Sequence, residues 1–242
     1  MRSEDPLTGY TVRVSSRARR VRLQMSPRDG LVVVVPESFP MSQVPQVVER
    51  HAPWIERARA RTADRRERLQ ERDGAAPPTQ VVMPGIGVAW EVRLRPSDAP
   101  GVRARVADGR LTLSGAVHDR AACRAAMQRA LLAAAKDALP RMLLQVEAAT
   151  GWHAQRVVVR RQRSRWGSCS ARGTVSLNAS LAFLPPQLVR HVLVHELAHT
   201  RRLDHSPVFW AFVERHDPLW RVHRAELREA WRHVPVWADE SR

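Results

Sequence analysis

The chain is short of several things, and each shortage closes off a class. It holds only two cysteines, Cys123 and Cys169, far apart in sequence, which excludes a disulfide framework. No apolar run approaches the length needed to span a bilayer, and the opening residues, MRSEDPLTGY, lack the apolar stretch of a secretion signal. The expectation is a cytoplasmic protein with no membrane partner. Tyrosine occurs once, at Tyr10. Lysine also occurs once, at Lys136, although Lys and Arg together number 40 against 24 Asp and Glu, a net charge of +16. The basic excess is therefore arginine. It is spread along the chain amid abundant alanine, valine and proline, which suggests a GC-rich gene and a solvated exterior. Nucleic acid is an admissible partner on charge alone, but not the favoured one.

Against those shortages stands one dense stretch, HVLVHELAHTRRLDH, from His191 to His205. It contains H-E-x-x-H: His195, Glu196 and His199. Residues four apart share a helix face, so two imidazoles converge there as ligands for Zn²⁺. Glu196 lies about 100° round the helix and can reach a metal-bound water without being a ligand. That is the arrangement for metal-assisted hydrolysis with Glu196 as general base. Pro185-Pro186 suits the first turn of this helix. A third ligand must come from elsewhere. On a continued helix His205 would point roughly 120° away, so the helix must end or turn after His199. Ser206-Pro207 supports a break, as an N-cap followed by proline at the first helical position. The rivals are carboxylates of a later helix, Glu226 and Glu229. The spacing of the three histidines matches the metzincin pattern. However, Arg202 stands at its glycine position, and no methionine follows Met142 to make its Met-turn.

Along the rest of the chain, Tyr10 to Val14 and Val21 to Met25 alternate as strands, Pro27 to Gly30 is a turn, and Leu31 to Val35 is a short apolar strand. A helix is expected over about 42–72. Its first half turns Val44, Val47, Val48, Ala52 and Ile55 inward. Its second half, ERARARTADRRERLQERD, is charged all round: a projecting solvated helix or, alternatively, a basic arm. After a linker at 73–79, strands are expected at 81–82, 87–94, 102–106 and 110–113. These could share one sheet with the first set. Residues 117–149 read as an Ala/Leu-rich helix that Pro140 kinks or splits. Strands at 155–159 and 174–178 would form a hairpin around the loop RRQRSRWGSCSARG. An edge strand there could hold an extended substrate by strand addition. Residues 207–237 are expected to be helical, with most of the tryptophans in the core.

Two motifs taken together, R-x-R-W-G-S-C at 163–169 and H-E-L-A-H-x5-H-S-x-x-F-W at 195–210, resemble the YgjP-like metal-dependent hydrolase family. That family is related to SprT-like and other zincin metallopeptidases. The N-terminal strands, P-x-x-F and H-A-P-W-I at 51–55 resemble it too, so the likeness covers most of the chain. It implies His195, His199 and His205 as ligands of one zinc ion per chain and Glu196 as catalytic base. It also implies a place near the site for Trp166, Gly167, Ser168 and Cys169, and it matches Asn178 on the following strand. His191 stands where the family commonly has an aromatic, and is expected to fill space. With no tyrosine at hand, Arg163, Arg165 or Asn178 would have to stabilise the transition state. Cys169 is expected to pack beneath the hairpin rather than to serve as a fourth ligand.

The expected fold is α+β. A β-rich N-terminal half at 1–115, with the long helix, precedes a zincin-like catalytic half at 116–242 carrying the H-E-x-x-H helix, the two expected to form one integrated domain. The expected function is a zinc metallopeptidase acting on peptide. The alternatives are a metal-dependent phosphohydrolase with a nucleotide substrate, or a nucleic-acid-associated SprT-like protein.

Overall fold

In the computed structural model, residues 2–5, 9–16, 18–26, 30–60 and 76–239 are described. The fold is α+β, as the alternation of short strands and apolar helices requires. The chain divides into two compact units, residues 1–72 and 73–241.

The first unit has a four-stranded sheet built from β1 (Arg2–Asp5), β2 (Tyr10–Val14), β3 (Arg22–Ser26) and β4 (Gly30–Val35), in the order β1-β2-β4-β3. β2 and β4 run parallel, while the β1–β2 and β3–β4 pairs are antiparallel. Strand β4 is apolar along its length because both its faces are covered. Leu31, Val33 and Val35 meet Val44 and Ile55, and Val32 and Val34 meet Ala18. Helix α1 (Val44–Arg50) ends at His51, and a second helix, α2, covers residues 52–60. The single helix expected here is broken by Pro53, which has no N–H to donate back into α1. Ala52, expected inside, is exposed. The charged continuation from 61, the start of the linker at 73–75 and residues 27–29 of the Pro27 turn lie outside the described residues.

The second unit repeats the strand pattern. β5 (Gln80–Met83), β6 (Val88–Pro96), β7 (Val102–Ala107) and β8 (Arg110–Gly115) form a separate sheet in the order β5-β6-β8-β7, again with one parallel pair, β6 and β8. The two strand sets do not share one sheet. Asp108 and Gly109 both have positive φ in the tight β7–β8 turn. Helix α3 (Arg120–Thr150) starts at Asp119, whose side chain accepts from the Ala122 N–H, and ends at left-handed Gly151. It is one helix across Pro140. The missing donor costs one rung of the ladder, while Leu139 and Leu143, both fully buried, fasten the two halves to the same core.

A third sheet follows: β9 (Arg156–Arg160), β10 (Gly167–Cys169) and β11 (Thr174–Asn178), in the order β10-β11-β9. The expected hairpin of the first and last strands is instead a parallel pair. The antiparallel partner of β11 is β10, which forms inside what reads as a loop. Three residues are too few for alternation to be seen in the sequence. Helices α4 (Pro186–Ala198), α5 (Pro207–His216) and α6 (Trp220–Glu226) complete the unit. Its core joins the inner faces of the second and third sheets to α3, α4 and α5 through residues such as Leu111, Leu131, Leu177, Leu193 and Phe209. Among the described residues no helix is long and apolar enough to cross a membrane.

Candidate metal centre

The H-E-x-x-H residues lie at the end of α4, where the helix gives out. Pro185 and Pro186 open α4, and Leu188, Val189, Val192, Leu193 and Leu197 bury it. His199 is its C-cap, and the N–H groups of Thr200, Arg201 and Arg202 fold back onto the carbonyls of Leu197 and Ala198. The chain therefore leaves the helix axis immediately after the second histidine, as His205 requires. Asp204 then holds the turn. It takes the Arg202 guanidinium at 3.1 Å and the Ser206 N–H at 3.1 Å. Ser206 occupies the N-cap position of α5, although its side chain makes no capping bond.

The three imidazoles converge, with ring centroids 4.9, 5.1 and 4.7 Å apart. His195 Nε2 and His205 Nε2 lie 3.2 Å apart. Ligands at about 2.0 Å in a tetrahedron stand about 3.3 Å from one another, so the pair has the spacing of neighbouring donors to one ion. His199 Nδ1 is 3.0 Å from the Arg202 carbonyl, to which it donates, leaving Nε2 as the lone-pair donor. Phe209 is fully buried beneath all three rings, 4.5 to 5.0 Å from each. Burial, reinforced by the neighbouring imidazoles, lowers His195 to about 3, and burial also lowers His199. Both are thus held neutral, the state that binds a cation. Glu226 and Glu229, the rival ligands, are exposed and belong to neither cluster of potential ligands among the described residues.

Glu196 is 6% exposed, and its Oε2 has no hydrogen-bond partner. Burial pushes its carboxyl up to about 8, opposed by the charge of Arg165. A buried acceptor without a donor is costly unless something else belongs beside it. With three inward-facing imidazoles next to it, this donor set fits a metal ion and its water. The close approach is made possible by Gly167 of β10, where a Cβ would fall 2.7 Å from Glu196 Oε1. Cys169, two residues on, lies outside both clusters. Its thiol is pushed up to about 11 by burial and by Glu196, which keeps it protonated.

A cleft of about 660 Å³ opens over His195, Glu196 and His205, walled by Arg165, Trp166, Gly167, His191, Trp210, Arg224, Arg228 and Trp231. Trp166 stacks on Trp231 at 4.2 Å and donates to the Leu227 carbonyl at 3.3 Å. Arg163 is exposed and is not part of the wall. Asn178 is fully buried. Its amide donates to the carbonyls of Gln162 and Arg165 at 2.8 and 2.7 Å, and its Oδ1 accepts from the Ser180 N–H at 3.0 Å. It ties down the loop that carries Arg165 and does not face the cleft.

A second cluster went unforeseen. Asp217 accepts from His191 Nδ1 at 2.5 Å and from His223 Nδ1 at 2.9 Å, and the His191 ring is 6.1 Å from that of His195. These spacings are those of hydrogen bonds, with one carboxylate between two imidazoles. The sequence offers one hint, that His191 stands four residues before His195 on the same stripe. Nothing in it points to Asp217, which follows α5.

A sequence profile described as "YgjP-like, metallopeptidase domain" matches residues 19–230. No curated protein sequence matches the chain. Among solved structures, part of the chain is similar to the metallopeptidase zymogen abylysin of Pyrococcus abyssi. The identity is 23%, covering 38% of this chain and 92% of that one, with a TM-score of 0.35.

Proposed function

Because the chain belongs to the YgjP-like metallopeptidase family, matched over residues 19–230, we propose that it is a zinc-dependent peptidase with His195, His199 and His205 as ligands and Glu196 as general base. One observation carries this reading: the orphaned, buried Glu196 Oε2 beside three converging imidazoles. Zinc bound there would supply Lewis acidity, lowering the pKa of a water and polarising the scissile carbonyl. Glu196 accepts the proton of the attacking water and returns it to the leaving amine. Arg165, on the cleft wall and close enough for its charge to act on Glu196, stabilises the developing negative charge. Asn178 is a positioning residue that fixes the Arg165 carbonyl. Trp166 is a wall of the cleft, and Arg163 guides substrate from outside it. β10 is an edge strand whose Gly167 abuts Glu196, so an extended peptide added to β10 would lie across the centre.

Metal content per chain, with casein hydrolysis, tests the reading. One zinc in the wild type, lost in His205→Ala and kept in Glu226→Ala, is the expected result. Glu196→Gln should retain zinc and lose about 10²–10⁴-fold in kcat. Metal unaffected by His205→Ala would sink the ligand assignment.

Arg165, Arg224 and Arg228 on the wall favour a second reading, hydrolysis of a nucleotide phosphoanhydride. Phosphate or pyrophosphate release from nucleoside triphosphates, with casein untouched, would select it.

A further inference from the structure

The sheet β5-β6-β8-β7 turns one face inward, where Trp90, Val92, Leu111 and Leu113 join the core. The chemistry of its other face is set by register. Arg93 of β6 and Arg105 of β7 both pair with Thr112 of β8, and Arg95 and Arg103 both pair with Ser114. Directly paired residues point to the same side of a sheet. The two hydroxyl side chains of the central strand therefore form a floor between two columns of arginine. The columns stand two strand spacings apart, about 10 Å, and successive arginines within a column are about 6.7 Å apart. All four arginines are exposed, and three of them, Arg93, Arg95 and Arg105, line with Thr112 a groove of about 600 Å³, while Arg103 stands on the same face beyond it. Arg110 continues the floor strand. Acidic compensation is slight. Glu91 takes Arg93 at 2.5 Å and Arg110 at 3.7 Å, and Asp108 sits in the turn at one end. Among the described residues, Arg95, Arg103 and Arg105 have no ion-pair partner.

The fold does not demand this surface. The N-terminal sheet has the same strand order and senses, yet the corresponding row of its central strand is Val32 and Val34, buried against Ala18. One architecture thus carries an apolar, covered face in the first unit and a hydroxyl-floored, basic, open face in the second.

We propose that this face binds single-stranded nucleic acid by its phosphates. The guanidinium fork matches phosphate oxygens two at a time, and floor hydroxyls add hydrogen bonds to the same groups. A channel two strands wide admits one extended backbone and is too narrow for a duplex. A polynucleotide presents a charge at every unit to both columns, whereas a peptide would need an unbroken acidic run. No outward residue of β6, β7 or β8 is aromatic, so bases find no stacking platform and binding is indifferent to sequence. The proposal does not rest on the peptidase reading.

Fluorescence anisotropy of a labelled oligothymidylate against the full chain, as a function of NaCl, tests it. Three unpaired arginines predict that the face contributes about −2 to the slope of log K against log salt. Replacing them together (Arg95→Gln, Arg103→Gln and Arg105→Gln) should remove that contribution and weaken binding at least tenfold. The charge-matched set Arg156→Gln, Arg172→Gln and Arg215→Gln should not. Glu196→Gln should bind as the wild type does, so loss of the peptidase reading leaves this one standing. Equal loss in the two triple variants would reduce the effect to net charge and overturn the proposal. So would duplex DNA bound as tightly, or polyglutamate competing as well as oligothymidylate.

Discussion

Burial pushes Glu196 and His195 in opposite directions, and the metal-free chain should register both in its stability. The Glu196 carboxyl is raised from 4.5 to about 8, so across that interval the folded state keeps a proton that the unfolded state has released. Stability then falls as pH rises towards 8. His195 is lowered from 6.5 to about 3, so across that interval the unfolded state is the one holding the extra proton, and stability falls as pH falls. The two effects oppose each other between 4.5 and 6.5, leaving an alkaline limb owed to Glu196 and an acid limb to which His195 contributes along with His191 and His199, which burial also lowers. In chelator, the wild-type Tm should drop between pH 6.5 and 8, and Glu196→Gln should abolish that drop. An unchanged alkaline limb in the variant would refute the assignment. Gly167→Ala probes the same carboxylate from the other side. Its new methyl must displace Glu196, so kcat should fall about tenfold or more while zinc content is unchanged. These residues differed in how far the sequence revealed them. His195, Glu196 and His199 stand in one short motif, and Ser206-Pro207 announces the break that frees His205. The Asp217 pair with His191 and His223 is closed by packing between α4, α5 and α6, which no local pattern records.

Pro140 lies inside α3, and the helix passes through it. Proline costs about 3 kcal/mol against alanine in a helix interior. Pro140→Ala should therefore raise Tm, by less than that figure implies if the backbone must relax. A fall in Tm by calorimetry would show that α3 needs the shape proline imposes. Most elements were legible because their apolar residues recur at period two or on one helical stripe. Pairing was less so. β9 and β11 read as a hairpin and are parallel, because β10, too short to show alternation, inserts as the antiparallel partner of β11. The same inserted-hairpin pattern makes β2 and β6 parallel to β4 and β8. The recurrence lies in topology with different side chains, which is why no repeat of fixed period marks it.

The two units have separate cores, one around Leu31, Val33 and Ile55, the other around Leu111, Leu131 and Leu193. Calorimetry should resolve two transitions. Stripping the metal should lower only the one belonging to residues 73–241, by about 4 kcal/mol if free zinc stood a thousandfold above its Kd. A single transition moving as a whole on chelation would show that the units melt together. The positions of the candidate ligands have a consequence for synthesis. All of them, with Glu196, the proposed base, fall between His195 and His205, after the arginine-faced sheet, α3 and all three strands β9 to β11. A ribosome making this chain releases the frame before it releases any chemistry. A product truncated short of residue 195 would carry the strands of every sheet and none of the candidate ligands.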